Sequence, residues 1–478
     1  MARRSLLFNS AVYVVGQFVT KALGFVLLLV YARFLQPEDF GITGTLGAYS
    51  QILSTLFLVG LHGAVSKHYF DHKNDPEELR SYLCSVFLFQ LVLSGVVVGL
   101  LDVYGGGAWA RFTSASIPFR PYVRLMLWTT FVATVTTIPQ TIYQSQERAG
   151  ALVGFQLFQG LAAVGIGVLF VAVLRQHALG VLRSQLISNG ILAVVFIALF
   201  VRQWATTEIR WRHVRRALWF GLPLLPHSVG SILMQTVDRM MLEKYVALDE
   251  VGQYSIAMTL GMILVMVAGG VNQAWAPHFF RTMRDEPEAM ARGKAQQFAS
   301  LFVAIFAVAA TFGGLFAPEL VRIVLGARYL PAVPYLAPFL IGNLIAVYYY
   351  LPANQLFLLE KTGWFLVATT LATAASVGLN YWFLSGGGGA VAAVWIFVAG
   401  NVIQTGIIFF AALALQPFPL LRWRHGVVFA AATGALASVR HMPAWQPRAA
   451  ITVAVLALSL GLLVRGNLSG IIPKGARR

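Results

Sequence analysis

The chain has 478 residues, of which 58% are hydrophobic and only 11% charged, where an ordinary soluble domain carries about 25% charged residues. That leaves too little polar surface to cover a water-soluble globule. Its formal charge, 35 basic against 18 acidic residues, is +17; the Arg and Lys sit mostly in short connectors between apolar segments, a pattern of membrane orientation that gives no reason to expect a nucleic-acid partner. The lone Cys84 lies in an apolar run, which excludes disulfides within the chain and Cys-based metal clusters.

Apolar stretches of about 20 residues, enough to cross a hydrocarbon core of about 30 Å, recur along the whole length. They predict an all-α polytopic membrane protein, because backbone groups in lipid must be satisfied within each segment. Cutting at charge and Gly/Pro clusters predicts about fourteen transmembrane helices. The first, roughly 8–31, follows a basic start, is too long for a signal-peptide core and lacks a small-residue cleavage pattern, so it reads as a retained span. Spans at roughly 41–62, 80–101, 121–143, 150–173 and 179–201 complete a first six-helix lobe over 1–206. Six more, roughly 218–243, 251–274, 296–317, 332–358, 364–384 and 389–414, form a second lobe over 207–415. Two additional spans, roughly 425–441 and 448–465, and a basic tail make up 416–478.

With the N-terminus inside, 22 Lys/Arg fall in cytoplasmic segments and 11 on the opposite side, which places both termini in the cytoplasm. The longest external loop, Asp102 to Arg120, leaves no room for a folded external domain. The chain also repeats itself. Gly41 of Leu35-Gln36-Pro37-Glu38-Asp39-Phe40-Gly41 aligns with Gly252 of Ala247-Leu248-Asp249-Glu250-Val251-Gly252 at an offset of 211. Near that offset His68-Tyr69-Phe70 falls on His278-Phe279-Phe280, and Glu147-Arg148-Ala149-Gly150 on Glu360-Lys361-Thr362-Gly363. Six spans precede the second copy, so both copies share one orientation, a plan found in transporters whose substrate path runs between parallel repeats. The basic stretch Arg202 to Arg216 is the expected crossing between lobes.

Lys21 lies near the middle of the first span, where a charge costs about 2.5–3.5 kcal/mol on insertion scales and is usually paired or functional. Tyr13, Gln17, Thr20 and Lys21 share one sector of that helix with Asn9 and Gly24, a polar stripe suited to an aqueous cavity; the plainer reading is a structurally paired lysine. The seventh span repeats the design, with His227, Ser231, Gln235 and Asp238 on one face and Arg239 at its edge, behind a kink from Pro223 and Pro226. Asp238 and Arg239 stand about 12 Å beyond that span's midpoint at 1.5 Å per residue, where a structural ion pair competes with substrate contact or ion coupling. His227 suits a proton carrier, since an unperturbed imidazole titrates near pH 6.5, or a packing role. Arg124, with Arg120, stands at the outer start of the fourth span, placed to attract an anion or to sit at headgroup level. Tyr348 to Tyr350 with Asn343, Asn354 and Gln355 suit stacking on sugars or ordinary helix packing. Of the 18 acidic residues only Asp238 falls clearly inside a span, and no carboxylate pair or metal-ligand spacing appears, so an enzyme is not expected.

The opening Lys21-Ala22-Leu23-Gly24-Phe25, followed by Tyr31-Ala32-Arg33-Phe34 and the Leu35 to Gly41 stretch, resembles the polysaccharide transporter (Wzx-like oligosaccharide flippase) family of the multidrug/oligosaccharidyl-lipid/polysaccharide exporter superfamily. Gly221-Leu222-Pro223-Leu224-Leu225-Pro226-His227 with Asp238-Arg239 is similar to the same family. The resemblance implies a V-shaped, two-lobed exporter that turns an undecaprenyl-pyrophosphate-linked oligosaccharide, the repeat unit of a surface polysaccharide such as O-antigen or exopolysaccharide, across the bacterial inner membrane by alternating access. No cofactor is implied beyond a proposed H+ or Na+ gradient; the partners implied are the lipid-linked substrate, the bilayer and the polysaccharide polymerase and chain-length machinery. Substrate contact then falls to Lys21, Gln17, Thr20, Tyr13, Arg124, Ser231, Gln235 and Arg239, and ion coupling to Asp238 and His227. A lipid II flippase and a multidrug cation exporter of the same superfamily are the alternatives, with a membrane glycan polymerase or ligase more distant. The lipid II branch carries extra basic residues along its first helix where this chain has Leu27 and Leu28.

Overall fold

The structure is a computed structural model that describes residues 16, 19, 20, 22–72, 74–114, 116–415, 423–438 and 445–461. The described residues form helices joined by short turns, with no strand among them, as the apolar pattern predicts. The chain divides into two compact units, Met1–Gly252 and Gln253–Arg478.

The first unit holds α1 (Ala22–Phe34), α2 (Pro37–Leu58), α3 (Leu61–Asp71), α4 (Pro76–Phe112), α5 (Arg124–Val135), α6 (Thr137–Ser145), α7 (Ala149–Gly167), α8 (His177–Trp204), α9 (Trp211–Gly221) and α10 (Leu225–Tyr245). Helix α11 (Leu248–Asp285) starts in the first unit and continues into the second. There follow α12 (Glu288–Leu315), α13 (Ala317–Val324), α14 (Val333–Leu358), α15 (Gly363–Ser385), α16 (Gly389–Leu415), α17 (Trp423–Ser438) and α18 (Trp445–Ser459). Helices α9 and α10, which the sequence pattern assigns to the second lobe, thus sit within the first unit, and α17 and α18 within the second.

Among the described residues ten helical stretches, some running through two of these helices, are long and apolar enough to cross a membrane, against the fourteen spans expected, which makes this a multi-pass membrane protein. Of the remaining four, the first span is described as a continuous helix only over Ala22–Phe34, too short a stretch to count. The fourth is broken into α5 and α6 at Thr136, whose hydroxyl donates back to the Ala133 carbonyl (2.8 Å), while Pro139 has no N–H to offer the preceding turn. The last two are described for 16 residues in α17 and 15 in α18.

The Leu35 to Gly41 stretch is a double helix start. Pro37 fits the first turn of α2, where no backbone donor is needed. Asp39 accepts the Gln36 amide (2.8 Å) within its own turn and the Ala178 amide (2.9 Å) at the start of α8, with His177 Nδ1 at 3.2 Å. One buried carboxylate therefore serves two positive helix ends.

Lipid offers no hydrophobic drive between helices, so close packing relies on small residues. Gly160 and Gly167 of α7 admit Leu23, Leu27 and Tyr31 of α1. In the second unit Ala291, Ala295, Ala299, Ala307, Ala310 and Gly314 line the buried side of α12, and Leu436 of α17 sits against Gly314. Polar ties fix the two C-terminal helices there: His425 Nε2 meets Ser300 Oγ at 3.0 Å, and Arg448 donates to Glu319 at 2.8 Å.

Candidate functional site

The seventh predicted span is two helices joined by a 3₁₀ turn at Leu222–Leu224, a break that follows from Pro223 and Pro226. Beyond it α10 carries the expected polar residues. His227 and Gln235 are exposed, Ser231 and Arg239 half-buried, and Asp238 buried. The Gln235 amide donates to the Ser231 carbonyl (3.3 Å), and Arg239 Nη2 reaches the Gln235 carbonyl (3.4 Å). Asp238 Oδ1 accepts the Arg239 backbone amide at 2.8 Å. The Arg239 Nε is buried without a partner. The half-buried Arg239 guanidinium thus stands beside the exposed Gln235 amide, a combination suited to an anionic or polar ligand.

The other expected residues are spread out. Tyr13, Gln17 and Lys21 lie outside the described residues. Thr20 is half-buried, its hydroxyl donating to the Gly16 carbonyl (2.9 Å). Arg124 sits at the start of α5, its Nε 2.9 Å from Asp102 Oδ1 and its side chain still 49% exposed. In the second unit Asn354 donates to Asn272 (2.8 Å), Gln355 to the Ala412 carbonyl (3.4 Å) and Tyr348 to the His425 carbonyl (3.1 Å). These three tie α14 to α11, α16 and α17.

Two glycine crossings hold α10 in place. At the outer end predicted by the charge bias, a Cβ on Gly41 would run into the Leu248 carbonyl oxygen, and one on Gly252 into the Pro37 carbonyl oxygen. Gly41 and Gly252, and likewise Pro37 and Leu248, are 211 residues apart in the chain. The contact is therefore reciprocal, as residues around a two-fold axis must be, and the repeat read from the sequence meets itself here. At the other end Gly60, at φ 71°, lies against Gly221, where a Cβ would stand 2.6 Å from the Gly221 carbonyl oxygen. Between these crossings α10 packs along α2. The polar face of α10 thus sits where the second sequence copy joins the first.

Sequence reasoning missed Glu243. It stands near the end of α10, 1% exposed, and accepts from Ser114 Oγ (2.6 Å), Ser116 Oγ (2.8 Å) and the Ser114 amide (3.3 Å). This ties the loop after α4 to α10. The available signal was an acid at the rim of a predicted span, but the serines that bury it lie far away in sequence.

The family model described as polysaccharide biosynthesis protein matches residues 6–283. An Lsg locus protein of Haemophilus influenzae is 22% identical over 385 residues, covering 76% of this chain and 88% of the relative. An uncharacterised membrane protein of the same organism is 21% identical over 387 residues, covering 78% and 89%. Among solved structures, the lipid II flippase MurJ in an inward closed conformation aligns with a TM-score of 0.73 at 12% identity, covering 95% of this chain and 99% of that one. An inward-facing MATE family multidrug resistance transporter of the MOP superfamily aligns with a TM-score of 0.66 at 14% identity, covering 89% and 96%. At these identities the likeness establishes the fold.

Proposed function

The chain belongs to the polysaccharide biosynthesis protein family, and from that premise we propose that it is a flippase that carries an undecaprenyl-pyrophosphate-linked oligosaccharide, the repeat unit of a surface polysaccharide, across the bacterial inner membrane. The observation that carries this reading is the polar face of α10, set at the join of the two repeats in a fold shared with a lipid flippase. A glycolipid of this class asks for cations to meet its pyrophosphate and for neutral hydroxyls and amides to meet its sugars. Arg239 and Lys21 supply the first, with Arg124 attracting the same group at the exit side; Ser231, Gln235, Thr20, Gln17 and Tyr13 supply the second. Asp238 and His227 take the ion-coupling role under an H+ or Na+ gradient, and both termini face the cytoplasm. The protein acts as a transporter and not an enzyme, upstream of the polymerase and chain-length machinery.

Movement of lipid II is the second reading, favoured by the fold likeness to a lipid II flippase. Depletion of the protein separates the two. The proposal expects an undecaprenyl-linked oligosaccharide to accumulate where an impermeant lectin cannot reach it, with loss of a surface polysaccharide. Accumulation of lipid II would select the second reading, and no trapped lipid would refute both.

A further inference from the structure

The crossing 205–210 lies over α4. Ser81 Oγ donates to the Glu208 carbonyl (2.7 Å), the Arg210 amide donates to Ser85 Oγ (3.0 Å), and the Cys84 thiol donates to the Thr206 carbonyl (3.6 Å). Beyond it, α9 is seated on α3 and α4 through three histidines grouped around Tyr82. The rings of His68, His72 and His213 stand 5.6, 5.6 and 5.7 Å from the Tyr82 ring, and His72 and His213 are 6.3 Å apart. His68 and His213 are buried, while His72 is partly open to solvent.

The contacts of His72 and His213 suit neutral imidazoles, whereas Asp71 beside His68 favours its protonated form. Arg216 Nη1 donates to His72 Nε2 (3.4 Å), which accepts only while that nitrogen is unprotonated. Asp71 lies 2.7 Å from His68 Nδ1 and 3.4 Å from Arg216. Glu78 is already held by Arg210 and Arg212, each at 2.7 Å, so it has little left for His213, whose Nε2 lies 3.6 Å away. That nitrogen and the Tyr82 hydroxyl are buried without partners. The charged groups around the cage are Lys67 and Asp71 of α3, Glu78 of α4, Glu208 and Arg210 of the crossing, and Arg212 and Arg216 of α9. Four cations already face three carboxylates, so a proton taken up by His72, which faces Arg216, or by His213, whose nearest carboxylate is already held by two arginines, adds repulsion.

We propose that this histidine cage is a proton-responsive clasp: with neutral imidazoles it holds α9 and the crossing on α3 and α4, and on protonation it lets them go. An unperturbed imidazole titrates near pH 6.5, and burial disfavours the charged ring, so the release is expected on the acid side of that value, on the face predicted to be cytoplasmic. It acts through the segment that joins the two sequence repeats.

Cys84, buried beneath the crossing, is a native reporter. Its labelling rate with an impermeant maleimide is measured from pH 8 to 5.5 in the full-length protein in nanodiscs, as a ratio to the rate in His72→Gln/His213→Gln. The ratio cancels the thiol's own pH dependence. The clasp predicts a ratio near one at pH 8 that rises about tenfold by pH 5.5, and Arg216→Gln, which removes the cation facing His72, should blunt that rise. A ratio constant across the range, or an acid response untouched by Arg216→Gln, would overturn it. Neither readout involves cargo, so failure here leaves the transport reading standing.

Discussion

Replacing Gly252 by alanine adds one methyl group where the Pro37 carbonyl oxygen already lies well inside contact distance, with the Gly41 amide nitrogen 3.0 Å from the new carbon. The obstacle is backbone on both sides, so no rotamer relieves it and α2 and α11 must part by on the order of an ångström to reach ordinary contact. Overpacking of this kind costs about 1–3 kcal/mol, or about 5- to 150-fold in the population of the closed crossing at 1.4 kcal/mol per tenfold. Because the contact is reciprocal, Gly41→Ala should cost a similar amount, and the double variant less than the sum of the two. Thermal unfolding in detergent, followed beside export of the cell's surface polysaccharide, measures both consequences. Gly107→Ala, in open space on α4, is the control. Wild-type stability and export in Gly252→Ala would refute the close crossing.

Three further outcomes follow from the same structure. Lys21→Ala and Arg239→Ala should each lower export at unchanged protein level in membranes, with Lys21→Arg retaining part of it; full export in both alanine variants, scored by surface-glycan staining, would remove the cation assignment. Glu243→Ala strips three donors of their acceptor and should destabilise the first unit by about 1–3 kcal/mol, read as earlier protease cleavage in the 113–118 loop, whereas an unchanged cleavage pattern would show that the serines do not hold it. His425→Ala removes the tie from α17 to Ser300 and should lower the melting temperature by about 1 °C per kcal/mol lost, since a chain of this size unfolds with an entropy of about 1 kcal/mol/K; an unchanged melting temperature would mean that helix packing alone seats α17.

Much of the architecture was legible because membrane insertion writes itself into composition. Runs of about 20 apolar residues have one solution in lipid, and most predicted spans coincide with helices, α4, α8, α12, α15 and α16 among them. Boundaries were less legible where proline or threonine acts locally: the fourth span reads as continuous, yet Thr136 and Pro139 divide it. The repeat was visible in glycines, and the structure adds the reason, since Gly41 and Gly252 are small because each faces the other's backbone. Helical spacing put His227, Ser231, Gln235 and Asp238 on one face of α10, but it does not show that Asp238 is buried while His227 and Gln235 are exposed. What spacing does not contain is the identity of partners distant in sequence, so Asp102 beside Arg124, the serines on Glu243 and the histidines around Tyr82 emerge only from the fold. The unit boundary near Gly252 was likewise hidden, because the basic crossing at 202–216 advertises a linker while α9 and α10 pack on α2, α3 and α4.

The central claim is that this chain moves a lipid-linked oligosaccharide across a bilayer, and reconstitution tests it most directly. Purified protein in liposomes loaded with an undecaprenyl-pyrophosphate oligosaccharide, probed from outside by an impermeant glycosidase under an imposed ion gradient, should cleave more than the half of the glycolipid initially exposed, and Arg239→Ala should slow that excess. Cleavage that stops at the exposed half, as in protein-free liposomes, would contradict the account.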